Sequence, residues 1–196
     1  MDSSESIESS VELFDNIAST DFLGFSFGAS KYNDSIQRAV QRTQKVCGVT
    51  CYLRTLRHSS SSSTKVIWLK HDFRFLGGSL GCAEGEKLVL GFEHARKNGL
   101  PVVVECRSGG ARMQEGTLSL MQMAKVSVAI AALRKAGLPF VAILMDPTYG
   151  GVSASYAMQA DVRIGFKGAR IGFAGPSVIL DTMYVLDGVN SVLSTA

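Results

Sequence analysis

The chain has 196 residues, which suits one domain, and its content of 46% hydrophobic and 19% charged residues excludes an intrinsically disordered chain. The net charge of +3, without a long basic run, argues against nucleic-acid binding, and no run reaches the roughly 18 apolar residues of a membrane span. The acidic, serine-rich start MDSSESIESS lacks the basic and apolar pattern of a secretory signal, so we expect an intracellular protein, or one whose targeting segment is absent from this sequence.

The first third of the chain predicts little regular structure. Residues 1–45 are polar, with one short helix expected over residues 33–42. Residues 46–57 are compatible with a strand, and the following HSSSSST, residues 58–64, predicts an exposed and mobile loop.

From Lys65 onward the pattern changes to short apolar runs separated by glycines. Strands are predicted over residues 65–69, 73–76, 100–105, 138–145, 161–166 and 169–174. Helices are predicted around residues 83–98, over 113–135 and over 152–160, with Gly99 and Gly137 as stop signals for the first two. Strand, glycine turn, helix and strand in succession indicate βαβ units on a mostly parallel sheet, and hence an α/β fold.

Four cysteines, Cys47, Cys51, Cys82 and Cys106, are present. The first two are close together, but no second close pair completes the spacing of a structural zinc site. We therefore expect reduced, inert thiols and no metal in this chain.

Two strand-to-helix loops end in a glycine pair, Gly109–Gly110 and Gly150–Gly151. Glycine lets a ligand approach the main chain closely, and amides at a helix start carry partial positive charge. Two such amides aimed at one oxygen would form an oxyanion hole. The alternative is that both pairs are only tight turns, and spacing alone does not decide between the two.

Side chains near these loops are weak candidates for acid–base chemistry. Glu115 and Asp146 occupy positions that helix-start and turn preferences explain equally well. The histidines are scattered, and no Ser/His/Asp arrangement is visible. Arg112 is suited either to binding an anion or to anchoring the loop. An enzyme with this pattern would work mainly through backbone electrostatics.

The longest motifs carry a family resemblance. They are DFRFLGGSLGCAEGEKL, SGGARMQEGTLSLMQMAKVSVAI, DPTYGGVSASYAMQADVRI and ARIGFAGPSVI, with KYNDSIQRAVQRTQ further upstream. Together they strongly resemble the carboxyltransferase β subunit of multisubunit acetyl-CoA carboxylase, of bacterial or plastid type. The likeness extends over about residues 13–181 and is strongest over 73–179.

The resemblance implies a ClpP/crotonase-like fold of repeated ββα units over residues 46–196, preceded by a polar N-terminal extension, 1–45, that contains the first helix. It also implies transfer of a carboxyl group from carboxybiotin, held on a biotin carboxyl carrier protein, to acetyl-CoA, which gives malonyl-CoA for fatty acid synthesis. The implied partners are a carboxyltransferase α subunit, the carrier protein and biotin carboxylase. The implied compartment is the bacterial cytoplasm or the plastid stroma.

The resemblance also assigns roles to residues. Backbone amides of Gly109, Gly110, Gly150 and Gly151 would be the oxyanion donors. Gly77, Gly78, Ala111 and Arg112 would lie near CoA or at the subunit interface. In the family the biotin nitrogen can itself accept the methyl proton, so no side-chain base is required.

The sequence also departs from the family pattern. It has no four-cysteine zinc ribbon, residues 46–64 match poorly, and residues 180–196 leave the pattern, so the C-terminus looks truncated. Two interpretations follow: a working carboxyltransferase β-type subunit, or a truncated non-catalytic paralogue that at most binds carboxylase subunits. A hydratase of the same fold is less favoured, because the paired catalytic glutamates it would need are not apparent.

Overall fold

The structure, a computed structural model, describes residues 7–59, 62–175, 178–180 and 182. Its strands are β1 (Ile7–Leu13), β2 (Ser26–Phe27), β3 (Ser30–Lys31), β4 (Val49–Ser59), β5 (Ser62–His71), β6 (Val102–Ser108), β7 (Phe140–Thr148) and β8 (Val162–Gly165). Its helices are α1 (Tyr32–Thr43), α2 (Cys82–Asn98), α3 (Gly116–Lys135) and α4 (Gly150–Ser153).

Six strands form one mixed sheet in the order β1-β4-β5-β6-β7-β8. The pairs β1–β4 and β4–β5 are antiparallel, whereas β5, β6, β7 and β8 are parallel neighbours. Helix α2 connects β5 to β6, and α3 connects β6 to β7. The carboxyl ends of the parallel strands therefore meet at one edge, and the glycine loops leave the sheet at that edge.

The core lies between this sheet and helices α2 and α3. Alternate residues of β5, β6 and β7 are buried on that face, as the alternation of a strand requires: Ile67, Leu69, Val102, Val104, Cys106, Phe140, Ala142 and Leu144. Phe92 of α2 packs edge-to-face on Phe140 of β7, with ring centroids 5.0 Å apart. This packing fixes the height of both helices over the sheet, and with it the loops that begin them.

Most of the elements predicted from the sequence are confirmed. Helices α1, α2 and α3 lie where periodicity placed them, and Gly99 ends α2 with φ of +66°. The four central strands and β8 are also present, although β5 to β7 run two to three residues further than predicted. The predicted α/β class with a parallel sheet is therefore correct.

Several local predictions were wrong. Residues 73–76 form no strand, because Asp72 caps a turn there and Leu76, Gly77 and Gly78 all have positive φ. Residues 169–174 make only an isolated bridge, between Ile171 and Thr148. The expected serine loop is instead the end of a hairpin in which Ser59 pairs with Ser62.

Two further elements differ from prediction. The polar N-terminal stretch contributes an unpredicted edge strand, β1, and the helix predicted over 152–160 breaks after α4 into a 3-10 turn over Tyr156–Gln159. Most of residues 180–196, which match the family pattern poorly, lie outside the described residues.

One segment within the described ranges, Met113–Lys135, is long and apolar enough to cross a membrane by length and composition. A helix that packs on a domain core meets the same criterion. The inner face of α3 buries Val126, Ile130 and Leu133 in this core. The segment is thus weak evidence for a membrane span.

Candidate functional site

The two glycine pairs meet at the carboxyl edge of the sheet. Gly109 and Gly110 follow β6, and Gly150 and Gly151 follow β7. A Cβ built on Gly150 would lie 2.9 Å from the Cα of Gly110, and φ is +59° at Gly150 and +120° at Gly110. Side chains at these two positions would force the loops apart, so glycine is required for the backbones to touch.

The upstream GGSLG segment joins the same site. The carbonyl of Gly77 accepts the amide of Gly109 at 2.9 Å, and Leu80 forms a parallel bridge with Ala111. In that bridge Leu80 N donates to Gly110 O at 2.8 Å. Two segments distant in sequence, GGSLG and the loop of Gly150, therefore hold the Gly109–Ala111 loop in one conformation.

Hydrogen bonding within the protein decides which amides remain free. Gly109 N donates to Gly77 O, Gly110 N donates to Ser108 Oγ at 3.0 Å, and Gly150 N donates to Phe173 O at 2.9 Å. These three amides, predicted as oxyanion donors, are therefore already paired. The geometry does not support that role for Gly109, Gly110 or Gly150.

The amide of Gly151 has no acceptor among the described residues, and neither has the amide of Ala111. A Cβ built on Gly151 would lie 3.4 Å from Ala111 N and 3.5 Å from Ala111 Cβ, so the two residues are neighbours across the loops. Ala111 was expected near CoA rather than as a donor. The structure thus brings together one predicted donor and one residue with a different predicted role.

Both residues line a cavity of about 420 Å³ between α3 and the segment that follows β7. Its lining is mostly apolar and small: Ala111, Leu120, Met123, Ala124, Ser127, Gly150, Gly151, Ala154, Ser155, Gln159 and Phe173. Two unpaired amides at the wall of an apolar cleft are suited to an oxygen that gains negative charge, because low polarity strengthens each hydrogen bond.

Arg112 does not reach this cavity. Its side chain is 1% exposed, and its guanidinium donates to Glu84 Oε1 at 2.7 Å and to Ser79 O at 2.7 Å. A second carboxylate, Glu115 Oε1, lies 3.3 Å from Nη1. Of the two interpretations left open by the sequence, the anchor accounts for this arrangement, and a contact between the side chain and CoA does not.

The buried charge cluster also ties down the N-terminal segment. Tyr32, at the start of α1, donates its hydroxyl hydrogen to Glu115 at 2.6 Å, and Ser19 Oγ donates to Glu84 at 3.1 Å. Burial opposes ionisation of Glu84, but the adjacent Arg112 outweighs it, and the pKa of Glu84 is lowered. The sequence analysis did not single out Tyr32 or Glu84. The signal available for Glu84 was its position three residues after Gly81, the N-cap of α2, where a glutamate can accept the N-cap amide.

A buried pair, His71 and Tyr156, supports the loops from behind. Tyr156 donates its hydroxyl hydrogen to His71 Nε2 at 2.6 Å, and His71 Nδ1 donates to Gly78 O at 3.2 Å. Burial lowers the pKa of His71 to about 4, so the ring is neutral near pH 7. Gly78 is held against Arg107 O, and neither Gly77 nor Gly78 lines the cavity. These two glycines shape the site from outside the cleft.

The remaining titratable groups near the site have structural partners. Asp146 forms a bidentate ion pair with Arg170, whose hydrogen bonds lower the pKa of the Asp146 carboxyl to about 2. Burial raises the pKa of Cys51 to about 12 and raises that of Cys106 as well, so these free thiols remain protonated. No group of three metal-ligating side chains occurs among the described residues.

Comparison with known proteins identifies the family to which this site belongs. Residues 64–191 match the family model described as the carboxyl transferase domain, and this match includes both glycine loops and the cavity. The chain belongs to the carboxyl transferase domain family. The carboxyl transferase domain thus accounts for about two thirds of the sequence.

Curated relatives carry consistent names. The chain is 46% identical over 177 residues to the acetyl-coenzyme A carboxylase carboxyl transferase subunit beta of Citrifermentans bemidjiense, which covers 90% of this chain and 61% of the relative. It is 64% identical over 108 residues to the carboxyl transferase subunits beta/alpha of Salinispora tropica, covering 55% of this chain and 19% of the relative. The chain spans less than two thirds of the length of these relatives.

Solved structures show the same crotonase-type architecture. Transcarboxylase 12S with methylmalonyl-coenzyme A bound is 34% identical, with a TM-score of 0.60 over 69% of this chain and 25% of that chain. A Pseudomonas malonate decarboxylase hetero-tetramer in complex with malonate is 26% identical, with a TM-score of 0.63 over 90% of this chain and 59% of that chain. The expected crotonase-like fold is confirmed.

Proposed function

We propose that this chain is a carboxyltransferase β-type subunit of an acetyl-CoA carboxylase, which transfers a carboxyl group from carboxybiotin to acetyl-CoA. The observation that carries the proposal is the pair of unpaired amides, Ala111 and Gly151, on the wall of one apolar cavity. The family match and the names of the curated relatives support the substrate class.

In this proposal the two amides bind the thioester oxygen of acetyl-CoA. Loss of a methyl proton turns that thioester into an enolate, and its negative charge develops on the oxygen that the amides face. Each such donor typically contributes about 3–4 kcal/mol of transition-state stabilisation. The donors are preorganised, because glycine contacts fix Gly151 and the Leu80 bridge fixes Ala111.

Carboxybiotin supplies the carboxyl group when its carrier protein is bound. The residues fit such a second substrate, because the cavity is open at exposed Phe173 and Leu120 and is lined by small side chains that leave room beside the thioester. The chain's own residues hold the acceptor and provide an apolar surface around it.

The proposed partners are a carboxyltransferase α subunit, a biotin carboxyl carrier protein and biotin carboxylase, in the bacterial cytoplasm or plastid stroma. The relative named subunits beta/alpha supports an α partner. So does the outer face of α3, where Met121 and Val128 are 60% and 70% exposed beside the cavity.

The experiment is the reverse reaction, carboxyl transfer from malonyl-CoA to free biotin, with the purified chain in the presence and absence of an α subunit. We expect turnover only with the α subunit. Gly151→Val should reduce that turnover at least about 100-fold, because its side chain would cover the space between the two amides.

The free energy of unfolding of Gly151→Val should stay within about 2 kcal/mol of the wild-type value. Gly151 has an ordinary backbone angle, and the atom nearest to a Cβ built there belongs to the flexible side chain of Met123. A stable complex with the α subunit that shows no turnover would instead support the non-catalytic paralogue. Turnover unaffected by Gly151→Val would refute the oxyanion role.

A further inference from the structure

The cavity that the two amides line is also lined by a polar pair, Ser127 of α3 and Gln159 of the 3-10 turn. Gln159 Nε2 donates to Ser127 Oγ at 2.8 Å, and Ser127 Oγ donates to Met123 O at 2.8 Å. Both side chains line the cavity, whose other walls near them are Met123, Ala124 and Ala154. A polar pair in a mostly apolar cleft is suited to fixing the orientation of a ligand.

Gln159 is held in place but retains hydrogen-bonding capacity. The backbone carbonyl of Gln159 accepts Arg134 Nη2 at 2.6 Å, and its side chain is oriented by Ser127. A primary amide has two N–H donors and one carbonyl acceptor. Only one of the donors of Gln159 has a partner among the described residues, so one N–H and the Oε1 atom remain for a ligand.

These free groups match a planar amide. The N–H of an amide or ureido group can donate to Oε1 of Gln159, and the carbonyl of such a group can accept from the free N–H; a trans amide makes one of these hydrogen bonds at a time. Carboxylates and phosphates lack the donor, and no cationic side chain lines this cavity. The chemistry therefore favours a neutral amide or ureido group.

The spacing from the amides fits such a group on the proposed substrates. Met123 lies against Gly151, since a Cβ built there would be 3.0 Å from Met123 Sδ. Ser127 is one helical turn further, about 6 Å along α3. The first amide nitrogen of a pantetheine thioester is about four bonds from the thioester carbon, which in an extended chain is a similar distance.

We propose that Ser127 and Gln159 form a subsite for an amide group of the substrate, with Gln159 as the contacting residue and Ser127 as the positioning residue. This inference rests on the proposed function. The pantetheine arm of a CoA thioester and the ureido ring of biotin both present the required chemistry, and the spacing favours pantetheine.

The test compares two malonyl thioesters as carboxyl donors to free biotin, using the full chain with its α subunit. Malonyl-N-acetylcysteamine retains the amide, and the malonyl thioester of pentanethiol replaces it with methylene groups. Gln159→Leu should lower kcat/KM for the amide-bearing thioester about tenfold, the value of one neutral hydrogen bond, and leave the other within about twofold. Gln37→Leu, on the exposed side of α1, is the matched control and should change neither.

Ser127→Ala provides a second variant in case Gln159→Leu folds poorly, and it should give the same selective loss because it releases Gln159. A tenfold rise in the KM for biotin, with both thioesters unaffected, would assign the subsite to the ureido ring. An equal fall in kcat/KM for both thioesters and for biotin, or no fall for any of them, would overturn the subsite. If the wild-type complex has no activity with either thioester, the proposed function itself is refuted, and this inference with it.

Discussion

Arg112 illustrates how a single residue beside the site can serve the fold. Its guanidinium is buried with Glu84 and Glu115, and it links the Ser79 turn to the loop that carries Ala111. A buried charge is tolerated only when it is paired, because loss of its hydration costs several kcal/mol. Arg112 therefore holds Ala111, one of the two proposed oxyanion donors, in place through its own backbone and side chain.

At the residue scale we predict that Arg112→Leu lowers the free energy of unfolding by about 3–5 kcal/mol, because it leaves Glu84 buried without its partner. The double variant Arg112→Leu/Glu84→Gln should recover part of that loss. Arg74→Leu is the matched control, since Arg74 forms an exposed ion pair with Asp72 and its loss should lower the free energy of unfolding far less. Urea denaturation measures all three, and equal costs for Arg112→Leu and Arg74→Leu would contradict this interpretation.

At the element scale, the crossing of α2 and α3 depends on Gly85. A Cβ built there would lie 2.3 Å from Gln122 Oε1 and 2.7 Å from its Cβ and Cγ atoms. The same two helices begin at the Gly81 and Gly116 ends of the loops around the site. Their close approach therefore sets the distance between the GGSLG turn and the start of α3.

We predict that Gly85→Ala destabilises the protein by about 1–3 kcal/mol, although alanine is favoured over glycine by roughly 1 kcal/mol in an unobstructed helix. Adding Gln122→Ala removes the contacts with Oε1 and Cγ but keeps that with Cβ, so it should restore only part of the stability. Denaturant unfolding of the two single variants and the double variant gives the coupling energy. A stabilised Gly85→Ala chain would show that the helices separate freely.

At the scale of the whole molecule, the described residues leave a long apolar surface exposed on α3. Met121 and Val128 lie one heptad apart on the outer face of α3, next to the open side of the cavity. An apolar helix face of this kind is typical of protein–protein interfaces. In the proposed function this surface contacts the α subunit.

We predict that Met121→Glu combined with Val128→Glu abolishes association with the α subunit and the turnover that depends on it. The variant should unfold like wild type, because both side chains are already exposed. Phe27→Glu, at an exposed residue of the β2–β3 hairpin, is the control and should leave association unchanged. Sedimentation of the mixed subunits measures the complex, and an intact complex would place the interface elsewhere.

Much of the architecture could be predicted because local patterns decide it. Alternating apolar residues identify β6 and β7, and Gly99 identifies the end of α2. The turn at residues 73–78 and the edge strand β1 were missed. Their structure depends on the Asp72 cap and on pairing with β4, and neither is visible in a local pattern.

The sequence by itself determined the α/β class, the family resemblance and the positions of the two glycine loops, because each of these depends on residues that are contiguous in the chain. Only the tertiary structure decided which amides can bind an oxygen, because their competing acceptors, Gly77 O and Phe173 O, come from distant segments. It also decided that Arg112 is an anchor, because Glu84 and Tyr32 meet it only in the fold. Remote segments pair the amides of Gly109 and Gly150, and the nearby Ser108 pairs that of Gly110, so hydrogen bonding rather than residue type separates the free amides from the paired ones.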